Sequence, residues 1–305
     1  MKKQLFKSLF CVILSLSLIL GVTGCDNDTP DDTAASLSET SSDESLTTSS
    51  SYQSQAAASA VSSYYDPTKE GVFKIRPVVQ KSYYDEDNSL TLPYCMILPV
   101  NYDENKDYPV LLYLHGAGER GNDNETQFRE MVYTLYRHWE EHFDEAILLA
   151  PQCPQTGWWN LYVDENGQKS GELNAVMNLL TYVQNEYSCD KNRIYVMGYS
   201  MGGYGTWQLL DHYNDVFAAG VPICGWYDTS AAKVMKDTPI WIYHGTKDET
   251  VSVENSRVMY SALKSAGSTK VTYTEQPYAK HSVWNDAAVN KKLFDWMFEQ
   301  SLKNK

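Results

Sequence analysis

Residues Arg193–Trp207 read RIYVMGYSMGGYGTW. Arg193–Met197 has the short apolar and aromatic character of a buried strand. A helix is expected from Gly202 to His212. Between the two lies Gly198-Tyr199-Ser200-Met201-Gly202, a G-x-S-x-G pattern at a strand-to-helix turn. Such a turn holds its central residue in a strained conformation while neighbouring chain passes close by. Glycines two before and two after remove the Cβ clashes. The serine hydroxyl then projects from the turn above a helix amino terminus. The bland alternative is a Gly-rich turn with a capping serine.

The flanking sequence alternates in the same manner. Ser89–Leu98 reads as a strand, with Pro93 favouring a sheet edge. Pro109–Leu114 and Ala146–Ala150 are short apolar runs that suit buried parallel strands. Phe217–Cys224, Pro239–Tyr243 and Val271–Glu275 continue the series. Helical spacing marks Thr126–His142, Glu172–Tyr187, Val253–Ser265 and Val289–Leu302. Alternating strands and helices imply an α/β fold, a mostly parallel central sheet with helices on both faces. Chemistry in such sheets gathers beyond the carboxyl ends of the strands.

A serine needs a base to act as a nucleophile. Of six histidines, His281 lies in the loop between the last strand and the last helix, after the candidate acids. His138, His142 and His212 fall on expected helices and read as surface or cap residues. His115 and His244 each precede a glycine at a strand end and read as turn-ordering residues. The strand Pro239–Tyr243 ends in His244-Gly245-Thr246-Lys247-Asp248-Glu249. An acid there can accept the Nδ1 hydrogen bond of the base and fix its tautomer. Asp248 is the first choice, with Asp228 and Glu249 as alternatives.

The resulting chain order, Ser200, Asp248, His281, resembles the α/β-hydrolase superfamily over roughly residues 90–305. The segment Leu114-His115-Gly116-Ala117-Gly118-Glu119-Arg120-Gly121 is similar to its HGGG-type oxyanion loop. The resemblance implies that the backbone N–H of Met201 is one oxyanion donor and that of Ala117 the other, with Gly118 as an alternative to Ala117. Glu119 and Arg120 read as an internal ion pair holding the loop. HGAGERG, APQCP (Ala150–Pro154), GYSMGGYGTW and HGTKD together resemble secreted bacterial esterases often labelled predicted peptidases. These are similar to feruloyl esterases, acetyl-xylan esterases and polyhydroxybutyrate depolymerases. The hydrolase core leaves Gly71 to about Asp87 unexplained; this stretch adds strands or belongs to a small accessory domain.

Trp158, Trp159, Trp226 and Trp284 fall at expected carboxyl ends of strands or beside His281. They are candidate substrate-binding residues, since aromatic faces suit sugar rings or a feruloyl group; the alternative is packing at the core rim. Trp139, Trp207, Trp241 and Trp296 fall inside expected elements and read as core.

The net charge of −14 argues against a nucleic-acid binder, which needs clustered Lys and Arg. Met1–Lys7 holds three lysines and precedes an apolar run, Ser8–Leu20, too short for a comfortable membrane span. Val22-Thr23-Gly24-Cys25 resembles a bacterial lipobox. Residues 1–24 are therefore expected to be a lipoprotein signal peptide, with Cys25 lipidated and the protein extracytoplasmic and anchored to a bacterial membrane. Asp26–Ser63 has seven acids, no Lys or Arg, and mostly Ser, Thr and Ala. Residues 25–63 read as a disordered tether and 64–305 as the catalytic domain. Cys95, Cys153, Cys189 and Cys224 remain, and their pairing is open. No CxxC or Cys/His cluster occurs, so neither a structural zinc nor another metal is expected.

The leading function is a cofactor-independent serine carboxylesterase working through an acyl-enzyme. Its expected substrates are short-chain, acetyl or feruloyl esters, including those linked to carbohydrate. A prolyl-oligopeptidase-like peptidase and a non-catalytic surface binding protein are the alternatives.

Overall fold

Tyr108–Leu114 (YPVLLYL) is buried at all seven positions. A strand covered on both faces must be apolar throughout, and this one lies inside the sheet. The computed structural model describes residues 78–129, 131–138 and 145–305. The expectations for Cys25, for the segments 1–24 and 25–63, and for Trp139 and His142 lie outside the described residues.

In chain order the strands are β1 (Val78–Asp85), β2 (Leu90–Ile97), β3 (Tyr108–Leu114), β4 (Ile147–Pro151), β5 (Tyr162–Val163), β6 (Lys169–Ser170), β7 (Cys189–Tyr199), β8 (Ala219–Ile223), β9 (Ile240–Gly245) and β10 (Val271–Gln276). The helices are α1 (Thr126–Arg129), α2 (Met131–His138), α3 (Glu172–Glu186), α4 (Met201–His212), α5 (Ala232–Met235), α6 (Glu254–Ser265), α7 (Trp284–Ala288) and α8 (Lys291–Phe298). Among the described residues, one sheet of eight strands runs β1-β2-β4-β3-β7-β8-β9-β10. β2 is antiparallel to both β1 and β4. From β4 to β10 all pairings are parallel. This is the α/β-hydrolase arrangement.

Alternate residues of each strand feed two cores. Val110, Leu112 and Leu114 pack with Leu173, Val176 and Leu180 of α3, Trp207 and Leu210 of α4, and Met259 and Leu263 of α6. Leu111 and Tyr113 face the opposite way, with Met131 and Leu135 of α2, Ala287 of α7, and Phe294 and Met297 of α8. The two-residue period of the pleat thus sandwiches the sheet between helices. Each fully buried leucine contributes roughly 1.5–3 kcal/mol relative to exposure.

Two expectations are corrected, and one element is new. β2 is not an edge strand, because β1 covers it with an eight-residue antiparallel register. Pro93 is tolerated because its carbonyl accepts from Gln152 N–H, at 2.7 Å, just beyond the Tyr94↔Pro151 end of the β2–β4 ladder. In an extended strand its nitrogen points to that same side, so the missing N–H falls on this terminal pair and interrupts no bond inside the ladder. The final helix, expected over Val289–Leu302, is shortened to α8, preceded by the separate short helix α7, and the Asn290 side chain caps the Leu293 N–H. The small hairpin β5–β6 was not foreseen. Asp164 organises its turn by accepting from Asn166 and Gln168 N–H, and Gly167 supplies a φ of 80°. The four described cysteines are buried free thiols.

Candidate active site

The carboxyl ends of β3, β7 and β9 and the loop after β10 converge. At the end of β7, Ser200 has φ 54° and ψ −117°. A non-glycine residue held there costs about 1–3 kcal/mol of backbone strain and persists only when its surroundings enforce it. The enforcement is backbone packing. A Cβ on Gly198 would lie 2.6 Å from Gly202 C and 2.7 Å from Leu114 O. One on Gly202 would lie 2.5 Å from Leu114 C, and one on Gly203 3.0 Å from Gly225 Cα. Ser200 N–H is tied to Ile223 O at 2.9 Å. The Ser200 hydroxyl makes no capping bond to α4. It donates instead to His281 Nε2 at 2.9 Å.

His281 is presented by the β10–α7 loop, and its Nδ1–H donates to Asp248 Oδ2 at 2.7 Å. Asp248 Oδ1 accepts from Thr250 and Val251 N–H, each at 2.9 Å. The Asp248 carboxylate is wholly buried, while the His281 ring keeps 21 % exposure toward the mouth of the site. Close backbone approach holds the two loops together: Lys247 N–H donates to Ala279 O at 2.8 Å, and a Cβ on Gly245 would strike Lys280 O at 2.7 Å. The alternative acids lie elsewhere. Asp228 is exposed and accepts from Ser230 N–H, and Glu249 is exposed.

The segment expected to supply an oxyanion donor follows β3 as a single 3-10 turn, Ala117–Glu119. Among the described residues, neither Ala117 N–H nor Met201 N–H donates to a protein acceptor. Glu119 and Arg120 do hold this loop, but not as an ion pair. Glu119 Oε2 accepts from Gly116 N–H at 3.0 Å and from Tyr199 Oη–H at 2.5 Å. Arg120 donates to Ala117 O and Gly157 O and lies over the Trp158 ring. The Glu119–Tyr199 bond links the loop after β3 to the residue before Ser200, a connection that linear spacing does not announce. His115 is fully buried: Nδ1–H donates to Gly116 O, and Nε2 accepts from Cys153 N–H. Burial pushes its pKa down to about 4, so it is a neutral turn-ordering group, as expected.

The four tryptophans separate. Trp159 is fully buried, and its Nε1–H donates to His115 O. Its expected place at the substrate is therefore corrected: Trp159 packs in the core against Gly205 of α4, whereas Trp158 is half-buried. Trp158 and Trp226 are half-buried with ring centroids 6.4 Å apart, and Trp226 stacks on Tyr204 at 5.0 Å. Tyr204 lies one helical turn past Ser200. Trp284 meets the His281 ring edge-on and stacks on Tyr199 at 4.2 Å. Tyr204 and Tyr199 were not singled out from the sequence. Their positions around Ser200 were the available signal.

A family model for phospholipases and carboxylesterases matches residues 97–292, well over half of the chain. The chain belongs to this family. Within the phospholipase/carboxylesterase family and beyond it, several known proteins are similar. The crystal structure of a thermostable esterase is 37 % identical, with a TM-score of 0.66, covering 73 % of this chain and 63 % of that one. A bifunctional acetylxylan esterase/xylanase of Neocallimastix patriciarum is 27 % identical over 149 residues, 48 % of this chain and 20 % of that protein. Feruloyl esterase B of Thermothelomyces thermophilus is 29 % identical over 157 residues, 50 % of each protein. The chain spans about a fifth of the length of the first two curated relatives it matches.

Proposed function

We propose that this protein hydrolyses carboxylic esters, with Ser200 as nucleophile, His281 as general base and acid, and Asp248 as the carboxylate that orients His281. The observation that carries this reading is the continuous chain Ser200 Oγ–His281 Nε2–His281 Nδ1–Asp248 Oδ2, with bonds of 2.9 and 2.7 Å. Ser200 Oγ attacks the ester carbonyl carbon while its proton passes to His281 Nε2. The carbonyl oxygen becomes an oxyanion facing the Ala117 and Met201 N–H groups. Its collapse expels the alcohol, which takes the proton from His281. A water then attacks the acyl-enzyme through the same base, and the carboxylic acid leaves. Preorganised donors matter because removing one typically costs 10²–10³ in kcat.

The proposed substrates are short acyl or feruloyl esters, including acetyl and feruloyl groups carried on polysaccharide. The half-buried Trp158, Trp226 and Tyr204 surfaces beside the nucleophile support this class, as do the names of the esterase relatives. An extracytoplasmic protein lipidated at Cys25, with 26–63 as a tether, is proposed from the leader sequence.

A dipeptidyl peptidase of Porphyromonas gingivalis is also similar, 24 % identical over 258 residues, which favours amide cleavage as the second reading. Rates on p-nitrophenyl acetate, methyl ferulate, acetylated xylan and a dipeptidyl p-nitroanilide, measured beside Ser200→Ala, decide between them. Ester turnover lost in the variant supports the proposal. Amide cleavage without ester turnover overturns it in favour of the peptidase.

A further inference from the structure

Asp248 has one more partner than its role toward His281 requires. His244, at the end of β9, is fully buried. Its Nε2 lies 2.9 Å from Val251 O and 3.2 Å from Asp248 Oδ2, the same oxygen that receives His281. Its Nδ1 lies 2.7 Å from Oγ of Ser256, itself 2 % exposed, on α6. Nε2 thus faces two acceptors, a carbonyl and a carboxylate, so it must carry the proton. Nδ1 faces a hydroxyl that can donate. Burial lowers the His244 pKa, so a neutral ring with Nδ1 as acceptor completes the set.

We propose that His244 is a positioning residue for the triad: its Nε2–H, committed by Ser256 on the far side of the ring, anchors Val251 O and lies against Asp248 Oδ2, and so keeps that carboxylate aimed at His281. The inference rests on the triad reading above. The charged and titratable groups around His244 are Asp248 and His281 from the loops and Glu275, its register partner on β10. Glu275 is engaged by Arg257 of α6, which also pairs with Glu254, and by Tyr273.

The consequence is specific. Nε2–H donates to Val251 O, and its dipole, 3.2 Å from Oδ2, adds to the His281 hydrogen bond there and lowers the attraction of Oδ2 for an imidazolium proton. Removing the His244 contact strengthens that attraction. The acid limb of the kcat/KM profile, which reports the free enzyme, then moves up. One pKa unit is the scale set by losing a hydrogen bond to a charged group. The freed carboxylate also loses its aim, and the plateau falls.

The test uses the full chain and p-nitrophenyl acetate. Ser200→Ala settles the triad reading separately, since turnover surviving in it refutes that reading whatever His244 does. In His244→Phe the limb should rise by about one unit and the plateau fall roughly tenfold. His244→Gln, whose amide keeps a donor near Nε2, should restore both to within about threefold. A folded His244→Phe protein with an unmoved limb and a plateau within about twofold overturns the proposal. If that variant does not fold, Ser256→Ala keeps the ring in place. It should move the limb in the same direction by a fraction of a unit, and an unmoved limb overturns the proposal. The ¹⁵N spectrum of histidine-labelled wild type is independent of activity. It should show His244 neutral with the proton on Nε2 at pH 7. An Nδ1–H tautomer or a cation overturns the assignment.

Discussion

Replacing Gly202 with alanine sets local preference against tertiary packing. Gly202 is the second residue of α4, and alanine is favoured over glycine in a helix interior by about 1 kcal/mol. On propensity alone the variant should be more stable. The structure reverses the sign. The new Cβ would sit 2.5 Å from Leu114 C, 2.8 Å from His115 O, and closer still to Leu114 O. All three atoms are backbone at the end of the central strand β3, so none can swing away. An ordinary contact needs about 3.5–4 Å, so α4 must move by roughly 1 Å from the strand. Overpacking of this kind costs about 1–3 kcal/mol. Net of propensity, a loss of up to about 2 kcal/mol is expected, a fall in Tm of up to roughly 8 °C for a domain of this size. Activity should fall further, because Ser200 and Met201 N–H move away from the oxyanion loop. A misplacement of about 1 Å can cost 10²-fold. Scanning calorimetry and kcat/KM on p-nitrophenyl acetate provide the readouts. Gly118→Ala is the control, since nothing lies within 4 Å of its Cβ, and its stability should stay within about 0.5 kcal/mol. A Gly202→Ala protein with a raised Tm and undiminished kcat/KM would refute the packing account of this turn.

The tryptophans should divide by readout. Trp159→Ala should lose about 3–5 kcal/mol in urea unfolding, whereas Trp226→Ala should raise KM for methyl ferulate with little loss of stability. Equal stability losses in the two would contradict their placement. Arg120→Met removes the donors to Ala117 O and Gly157 O. It should lower kcat about tenfold while leaving KM near the wild-type value, since it acts on the oxyanion loop; an unchanged kcat rejects that role. Stability should fall on acidification through His115. Its folded pKa of about 4 lies below an unfolded value near 6.5, so the unfolded chain binds the extra proton. The His115 contribution is intact above about pH 6.5, is lost as pH falls toward 4, and amounts to about 3 kcal/mol at the lower end. Urea titrations of wild type and His115→Gln from pH 7 to 4 should converge at low pH; parallel curves would disprove it.

Much of the proposed site was legible in the linear chain because its candidate residues are concentrated in short motifs at strand ends. The G-x-S-x-G turn is local: strand, strained serine and helix are contiguous, and steric exclusion of Cβ atoms selects glycine at each tight point. The order Ser200, Asp248, His281 follows from where loops leave a parallel sheet. The alternation of buried strands with amphipathic helices likewise specifies a sheet covered on both faces.

What the tertiary structure alone decided are relations between segments far apart in sequence. Pro93 suggested an edge, yet β1 covers β2, because a proline costs nothing where its nitrogen meets the end of a ladder. Glu119 and Arg120 are neighbours that suggested a pair, but Tyr199 and Gly157, brought in from other strand ends, offer each a better-placed partner. Trp158 and Trp159 are equivalent in composition, and only packing against Gly205 of α4 and His115 O buries Trp159 while Trp158 stays half-buried. His244 read as a turn residue. Its contact with Asp248 depends on Ser256 from α6 fixing the far nitrogen of its ring. Local sterics and hydrophobic period are written in consecutive residues, whereas a hydrogen bond's partner is set by which donors and acceptors the packed elements bring within about 3 Å.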